Sequence, residues 1–177
     1  GFVGADGATH HGVFDIAMLR VIPNIRILAP RNEIQLRNTL YTLQLGISGP
    51  VAIRYPRGYG NLPEWELAFE KIDLDKGTRI KSGNQIALIS IGTLADNVSQ
   101  ALELLNGKCA PGHYDLGSIK PLDTKLLHHI FKKYTSIITI EDGVLSGGAG
   151  SAVLEWANDN GYSHPIKRVG IPDSFIP

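Results

Sequence analysis

The stretch IALISIGTLADNVSQALELL, residues 86–105, decides the fold class of this chain. Its first six residues form an almost unbroken apolar run rich in β-branched side chains, which predicts a buried strand over Ile86–Ile91. After the turn at Gly92, apolar residues at helical spacing predict a helix near Leu94–Leu105. An apolar strand that leads into a helix is typical of a parallel sheet covered by helices.

The same alternation of strands and helices continues on both sides of this stretch. In residues 77–177 it predicts further strands over Thr78–Lys81, His113–Leu116, Ile137–Glu141 and Ile166–Val169, and helices over Asp123–Lys133 and Ala149–Asn160. In residues 1–60 it predicts strands over Ile25–Leu28 and Val51–Tyr55, and helices over Val13–Arg20 and Glu33–Gln44. Asn32 is the expected N-cap of the last of these helices, with Gln35 as its capping-box partner. We therefore expect an α/β protein with right-handed crossovers in parallel sheets.

Charge divides the chain into two bodies and a connector. Residues 1–60 contain six arginines, no lysine and three acidic residues, whereas residues 61–75 contain five acidic residues and one lysine. The connector shows no clear helical or strand period. We predict a first domain over residues 1–60, a linker over 61–76 and a second domain over 77–177.

The composition excludes several classes of protein. Seventeen basic and seventeen acidic residues cancel, so the broad positive surface of a nucleic-acid-binding protein is not expected. The single cysteine, Cys109, excludes a disulfide framework and a thiolate zinc site and fits a reducing cytoplasm. No apolar run approaches the roughly 18 residues of a membrane span. We expect a soluble cytoplasmic protein, and the abrupt start at Gly1 leads us to expect a fragment of a longer chain.

The densest group of reactive side chains lies in the segment Gly4–Gly12, where three glycines alternate with Asp6, Thr9, His10 and His11. Glycines let a backbone approach a ligand, an imidazole moves protons near neutral pH, and a carboxylate accepts hydrogen bonds from hydroxyl groups. We predict a catalytic loop at the carboxyl end of a sheet. The alternative is a turn whose imidazoles bind backbone carbonyls. A metal site is less favoured, because adjacent histidines in an extended loop point apart.

A second candidate site follows the strand that ends at Tyr55. Pro56 stops the strand, so Arg57 is held at the mouth of the sheet, where a guanidinium can bind phosphate or carboxylate with two hydrogen bonds. The alternative is a solvated arginine at a surface strand end. A third feature, the glycine-rich turn over Glu141–Ser151, could bind an anion at a helix start, but it matches no phosphate-binding pattern and favours a structural or interface turn.

The spacing of Asp6 and Asn32 invites comparison with a cofactor motif. Enzymes that use thiamine diphosphate often hold its metal with Gly-Asp-Gly followed later by an asparagine, and Asp6 and Asn32 are 26 residues apart. The neighbouring residues do not match this motif, and Asn32 is already the expected helix cap. We predict no metal ligand in this chain.

Several of these segments, in this order, resemble the 1-deoxy-D-xylulose-5-phosphate synthase family. The first domain carries Val3–Gly7, Thr9–Asp15, Ile22–Asn24, Ala29-Pro30, Gly49-Pro50 and Arg54–Gly58, and the second carries Ile91–Thr93, Lys120–Asp123, Glu141–Gly143, Gly147–Ser151 and Gly170–Asp173. The resemblance covers nearly the whole chain. It is specific in the first domain, whereas the second alone would also fit the wider transketolase group.

This resemblance implies a fold and an activity. The fold would be the second half of a pyrimidine-binding domain with a parallel sheet, followed by an α/β domain of the transketolase C-terminal type. The family consists of homodimeric transferases that depend on thiamine diphosphate and Mg²⁺. They condense pyruvate with D-glyceraldehyde 3-phosphate to 1-deoxy-D-xylulose 5-phosphate, release CO₂, and feed isoprenoid, thiamine and pyridoxal biosynthesis.

The resemblance also implies roles for individual residues. Arg57 would hold the phosphate of the acceptor, Asp6 would bind its hydroxyl group, and His10 would hydrogen-bond or transfer a proton at the reacting oxygens. His11 and Tyr55 would be accessory. The family's metal and diphosphate motif and the glutamate that activates the cofactor would lie upstream, so the chain alone is expected to be inactive.

The segment Asp115-Leu116-Gly117-Ser118 departs from the family, which usually has an arginine and a bulky apolar or aromatic residue there. Two other functions stay open. A transketolase or a 2-oxoacid dehydrogenase β-type subunit would share both domains and the cofactor, but a lipoyl acceptor would not need Arg57. The second function that stays open is that of a non-catalytic module for dimerisation or regulation.

Overall fold

The structure, a computed structural model, describes residues 1–60, 62, 66–105, 107 and 109–177. After a 3₁₀ turn over Gly4–Asp6, its elements are α1 (Asp15–Arg20), β1 (Arg26–Leu28), α2 (Glu33–Gln44), β2 (Val51–Ile53), β3 (Thr78–Lys81), β4 (Ile86–Ser90), α3 (Leu94–Leu104), β5 (Gly112–Asp115), β6 (Ser118–Lys120), α4 (Thr124–Lys133), β7 (Ser136–Val144), α5 (Ala149–Asp159) and β8 (Ile166–Ile171). The predicted helices and strands are confirmed, with ends displaced by a few residues at most. Strand β6 was not predicted.

The larger sheet has the strand order β3-β5-β4-β7-β8. Strand β4 lies parallel to both β5 and β7, and β7 lies parallel to β8, as the alternation predicted. Strand β3 is antiparallel to β5, so the prediction of a parallel sheet is wrong at this edge. Residues 82–85, which join β3 to β4, are too few for the crossover that a parallel arrangement requires.

The smaller sheet joins the two bodies. Its order is β2-β1-β6, with β1 parallel to β2 and antiparallel to β6. Because β6 belongs to residues 77–177, the second body contributes a strand to the sheet of the first. The amide of Ala29 extends this contact by donating to the carbonyl of Gly117 at 2.7 Å.

One hydrophobic core also runs through both bodies. It lies between the larger sheet and its helices, and it includes Ile89, Tyr114 and Leu127 from the second body together with Ile16 and Ile27 from the first. These five side chains are at most 1% exposed. Burial of each such side chain contributes about 1.5–3 kcal/mol, so separating the two bodies would expose a substantial apolar area.

The predicted cap of α2 is present. The side chain of Asn32 accepts a hydrogen bond from the amide of Gln35 at 2.9 Å, and the side chain of Gln35 accepts one from the amide of Arg31 at 2.6 Å. The two side chains therefore satisfy free amides at the start of the helix, although Gln35 reaches one residue further back than a capping box predicts.

The predicted linker follows the surface of α2. Residues 61 and 63–65 of this linker lie outside the described residues. Its described remainder forms no helix or strand. The buried side chain of Asn38 accepts from the amide of Glu70 at 3.2 Å, and that of Thr42 accepts from the amide of Ile72 at 3.0 Å. Polar residues on α2 thus hold this segment in place. None of the described helices is long and apolar enough to cross a membrane.

Candidate functional site

The segment Gly4–Gly12 forms a tight loop at the surface. Gly7 has a φ of 77°, a conformation that glycine adopts readily, and its amide donates to the carbonyl of Gly4 at 3.1 Å. The amide of His10 in turn donates to the carbonyl of Gly7 at 3.0 Å. These internal hydrogen bonds leave the side chains of Asp6 and His10 exposed to solvent.

The two adjacent histidines have different surroundings, although the loop is a series of tight turns and not the extended segment that the sequence analysis assumed. The exposed His10 has its Nδ1 atom 3.0 Å from the hydroxyl of Thr9. His11 is half-buried, its Nδ1 atom accepts a hydrogen bond from the amide of Val3 at 3.1 Å, and its ring packs edge-on against Phe2 at 5.3 Å. His11 therefore closes the loop on itself, and His10 is the imidazole that faces solvent.

Arg57 and Asp6 are brought together by the fold. The Nη1 atom of Arg57 forms an ion pair with the Oδ2 atom of Asp6, and the amide of Arg57 donates to the carbonyl of Phe2 at 2.9 Å. The side chains of Arg57 and Asp6 are 66% and 41% exposed. Ion pairs this exposed are weak, so an incoming anion can exchange with the carboxylate.

A cleft of about 890 Å³ opens beside Arg57, between the end of β2 and the start of α3. Its lining includes Tyr55, Pro56, Arg57 and Tyr59 from the first body and Thr93, Asp96, Asn97 and Gln100 from the second. Tyr55 is 57% exposed and lies at the same face as Arg57. Neither Asp6 nor the two histidines appear among the described residues that line the cleft, and Asp6 reaches it through the pair with Arg57.

In the described ranges of the chain, no group of three or more His, Cys, Asp or Glu side chains is placed to share a metal. Asn32, which the cofactor motif would have used, caps α2 instead.

The glycine-rich turn before α5 is a structural feature, as its sequence favoured. The carboxylate of Glu141 accepts hydrogen bonds from the amides of Ala149 at 2.7 Å and Gly150 at 2.8 Å. A Cβ atom at position 148 would collide with this carboxylate, so Gly148 allows the close approach. Burial raises the pKa of Glu141, and the two amides oppose that rise. The helix start that could have bound an external anion is filled by the protein's own side chain.

A further polar residue of this region, Arg54, was missed by the sequence analysis. Its Nε atom donates to Asp15 Oδ2 at 2.8 Å, its Nη1 atom pairs with the carboxylate of Asp142, and its Nη2 atom donates to the carbonyl of Gly12 at 3.0 Å. Burial opposes the charge of Arg54, but the carboxylates of Asp142 and Asp15 together raise its pKa above the ordinary value. An arginine inside an otherwise apolar strand was the available signal.

Two protein-family models match the chain. The model described as "Transketolase, pyrimidine binding domain" matches residues 1–62, and the model described as "Transketolase, C-terminal domain" matches residues 75–177.

Curated relatives match over nearly the whole chain. The 1-deoxy-D-xylulose-5-phosphate synthase of Parabacteroides distasonis is 49% identical over 177 residues, that of Bacteroides fragilis 50% over 178 residues, and that of Shouchella clausii 43% over 179 residues. Each alignment covers 99% of this chain and 28% of the relative. The chain therefore spans less than a third of the length of these relatives.

A solved structure has the same fold. It is described as "Split gene transketolase, inactive beta4 tetramer", and it is 29% identical with a TM-score of 0.83. The match covers 94% of this chain and 55% of that one.

Proposed function

This chain belongs to the transketolase family, and we propose that it forms part of a thiamine diphosphate-dependent 1-deoxy-D-xylulose-5-phosphate synthase. Such a transferase condenses pyruvate with D-glyceraldehyde 3-phosphate and releases CO₂. The proposal is supported by the identity of about half the residues to synthases along nearly the entire chain. We further propose a cytoplasmic location and a role in the biosynthesis of isoprenoids, thiamine and pyridoxal.

The observation that carries this proposal is the pairing of Arg57 with Asp6 at the mouth of the cleft. A phosphorylated hydroxyaldehyde needs a cation for its phosphate and an acceptor for its hydroxyl group. Arg57 would take the phosphate with charge-assisted hydrogen bonds. Asp6 would exchange its guanidinium partner for the hydroxyl group. Tyr55 would line the same pocket as an accessory residue.

His10 would move the proton in this reaction. Its imidazole is exposed, stands on a glycine-rich turn and has the hydroxyl of Thr9 beside it. In the proposed function it would contact an oxygen of the bound substrate. An imidazole can donate or accept a proton near neutral pH. His11, whose Nδ1 atom is engaged by the amide of Val3, would act by holding the loop.

The cofactor's main binding groups would lie in the part of the enzyme outside this chain. Within the residues that the structure describes, no group of three or more His, Cys, Asp or Glu side chains is placed to share a metal ion. When bound, thiamine diphosphate would supply the electron sink that allows pyruvate to lose CO₂. This chain would supply the acceptor pocket and the proton-transfer group.

A second candidate, a self-associating module without activity of its own, is favoured by the structural relative. That relative is described as an inactive tetramer. This chain exposes large apolar side chains that would suit contact with another subunit: Met18, Val21, Leu154, Val169 and Phe175. We propose that the isolated chain self-associates without turnover, and that the intact synthase is a homodimer.

Acceptor specificity tests the proposed function. In the full-length synthase that carries this segment, Arg57→Ala should lower kcat/KM for D-glyceraldehyde 3-phosphate by about 10- to 150-fold. This loss corresponds to the roughly 1.5–3 kcal/mol that a hydrogen bond to a charged group contributes. Use of unphosphorylated D-glyceraldehyde should change little.

The matched control is Arg26→Ala, which removes a partly exposed arginine paired with Asp75, away from the cleft lining. Equal losses for both acceptors in Arg57→Ala would give Arg57 a structural role. Turnover by the isolated 177-residue chain with thiamine diphosphate, Mg²⁺ and both substrates would contradict the placement of the cofactor groups.

A further inference from the structure

The loop over Gly4–Gly12 depends on an arginine that lies behind it. Arg54 stands three residues before Arg57, but its side chain is 5% exposed and is not among the described residues that line the cleft. It therefore has no access to a substrate in the cleft. Its contacts are all to other parts of the protein.

These contacts join three separate segments. Two are in the first body: the carboxylate of Asp15, at the start of α1, and the carbonyl of Gly12, at the end of the loop. The third segment is β7 of the second body, where Asp142 provides both its carboxylate and its carbonyl oxygen, the latter at 3.0 Å. A single guanidinium thus connects the loop to the opposite body.

Both ends of the loop are attached close to this arginine. At the carboxyl end, the carbonyl of Val13 accepts from the amide of Val144 at 2.9 Å, one residue beyond the contact of Arg54 with Gly12. At the amino end, the carbonyl of Phe2 accepts from the amide of Arg57 at 2.9 Å. The strand end over residues 54–57 and the end of β7 therefore fix where the loop begins and ends.

We infer that Arg54 is a positioning residue for the loop over Gly4–Gly12, and that its pairing with Asp142 makes the position of this loop depend on the second body. The inference rests on the proposed function, because His10 and Asp6 are the groups being positioned. A planar guanidinium can address Asp15, Asp142 and Gly12 at once in fixed directions, which a lysine ammonium cannot. Buried ion pairs add little stability over apolar side chains, so specification of geometry is the better account of this one.

The test is a comparison of Arg54→Lys with Arg20→Lys in the full-length synthase. Arg20 is a matched control, because it also joins the two bodies: its Nη1 atom donates to the carbonyl of Gly147 at 2.7 Å and its Nη2 atom pairs with Glu155. No contact described for Arg20 reaches the loop. Asp142→Asn is a second variant, which keeps the pairing of Arg54 with Asp15.

Kinetic measurements with and without His10 distinguish a positioning role of Arg54 from a general effect on stability. Arg54→Lys should lower kcat/KM by about 10- to 100-fold, the scale expected when a catalytic group is misplaced by about 1 Å. In the His10→Ala background the same change should cost clearly less than it does when His10 is present, because one of the two groups that it positions is gone. Arg20→Lys should have the same small effect in both backgrounds. Asp142→Asn should follow Arg54→Lys with a smaller loss.

Hydrogen exchange of the loop amides gives a readout that does not need activity. Exchange in residues 4–12 should speed up in Arg54→Lys and stay unchanged in Arg20→Lys. Unchanged exchange in Arg54→Lys, or equal kinetic losses with and without His10, would overturn the inference. Absence of synthase activity in the unmodified full-length enzyme would instead refute the proposed function, and the exchange data would still decide the role of Arg54.

Discussion

Arg54 and Arg57 stand on the same strand end but belong to regions of opposite character. The side chain of Arg54 is 5% exposed and has acceptors around its whole guanidinium, whereas that of Arg57 is 66% exposed and pairs with the half-exposed Asp6. A buried arginine whose donors are satisfied by the protein fixes structure. An exposed arginine in a weak pair can exchange its partner for a ligand. Solvent access therefore distinguishes Arg54, which lies in the junction between the two bodies, from Arg57, which lies in the candidate site at the protein surface.

The largest expected effect is at the surface site. His10→Ala in the full-length synthase should lower kcat by about 10²- to 10⁴-fold, the range for a positioned acid or base, with thiamine diphosphate affinity nearly unchanged. The thermal midpoint should hold, because the exposed His10 side chain contributes little packing. Steady-state kinetics, cofactor titration and thermal unfolding measure these three quantities.

His11→Ala is the matched comparison within the same loop. It removes the acceptor for the amide of Val3 and the packing against Phe2, so it should lower the thermal midpoint and reduce kcat much less than His10→Ala. If His11→Ala lost rate alone while His10→Ala lost stability and rate together, the roles of the two imidazoles would be reversed.

The second prediction compares the two arginines by stability. Arg54→Ala leaves the buried Asp142 without its partner and should cost about 3–5 kcal/mol of unfolding free energy. Arg57→Ala removes an exposed pair and should cost about 1 kcal/mol or less. Urea unfolding of the two variants measures the difference. Similar losses for both would show that burial does not separate the junction from the site.

The candidate site could be proposed from the sequence and the junction could not, for a physical reason. The loop over Gly4–Gly12 and the segment around Arg57 are local patterns, and so is the cap of α2 at Asn32, so neighbouring residues are sufficient to identify them. Arg54 bonds to Asp15 and Asp142 across 39 and 88 residues. Such a contact depends on the packing of the two bodies, which no local period encodes.

Strand β6 was missed for the same reason. It has three residues, too few to show a period, and it is defined by pairing with β1 of the other body. The alternation of elements also does not predict the antiparallel edge at β3, because strand direction there depends on the short connection between β3 and β4. The roles of Asp6, His10 and Arg57 in the reaction stay predictions.

The junction also contains a buried acid that contrasts with Arg54. Asp115 is 0% exposed, and among the described residues neither of its carboxylate oxygens has a hydrogen-bond partner of good geometry. Burial raises the pKa of Asp115 to about 7. On the same strand, burial lowers the pKa of His113 to about 4, and its Nε2 atom lies 2.8 Å from the hydroxyl of Ser90. The smallest of the effects that we predict comes from these two groups, and it concerns how the free energy of unfolding changes with pH.

Between pH 4 and 7 folded Asp115 keeps a proton that the unfolded chain has released, so its contribution lowers stability as pH rises. Between pH 4 and 6.5 His113 does the reverse, because the unfolded chain binds a proton that the folded one excludes. The two contributions largely cancel, and their sum should decline by about 1 kcal/mol between pH 4 and 7. Asp115→Asn removes the falling contribution and leaves that of His113, which should raise stability by about 2–3 kcal/mol from pH 4 to 6.5. Urea unfolding at a series of pH values measures the stability of the unmodified protein and of Asp115→Asn. If the two stabilities changed with pH in parallel, the pKa of Asp115 would not be raised by folding.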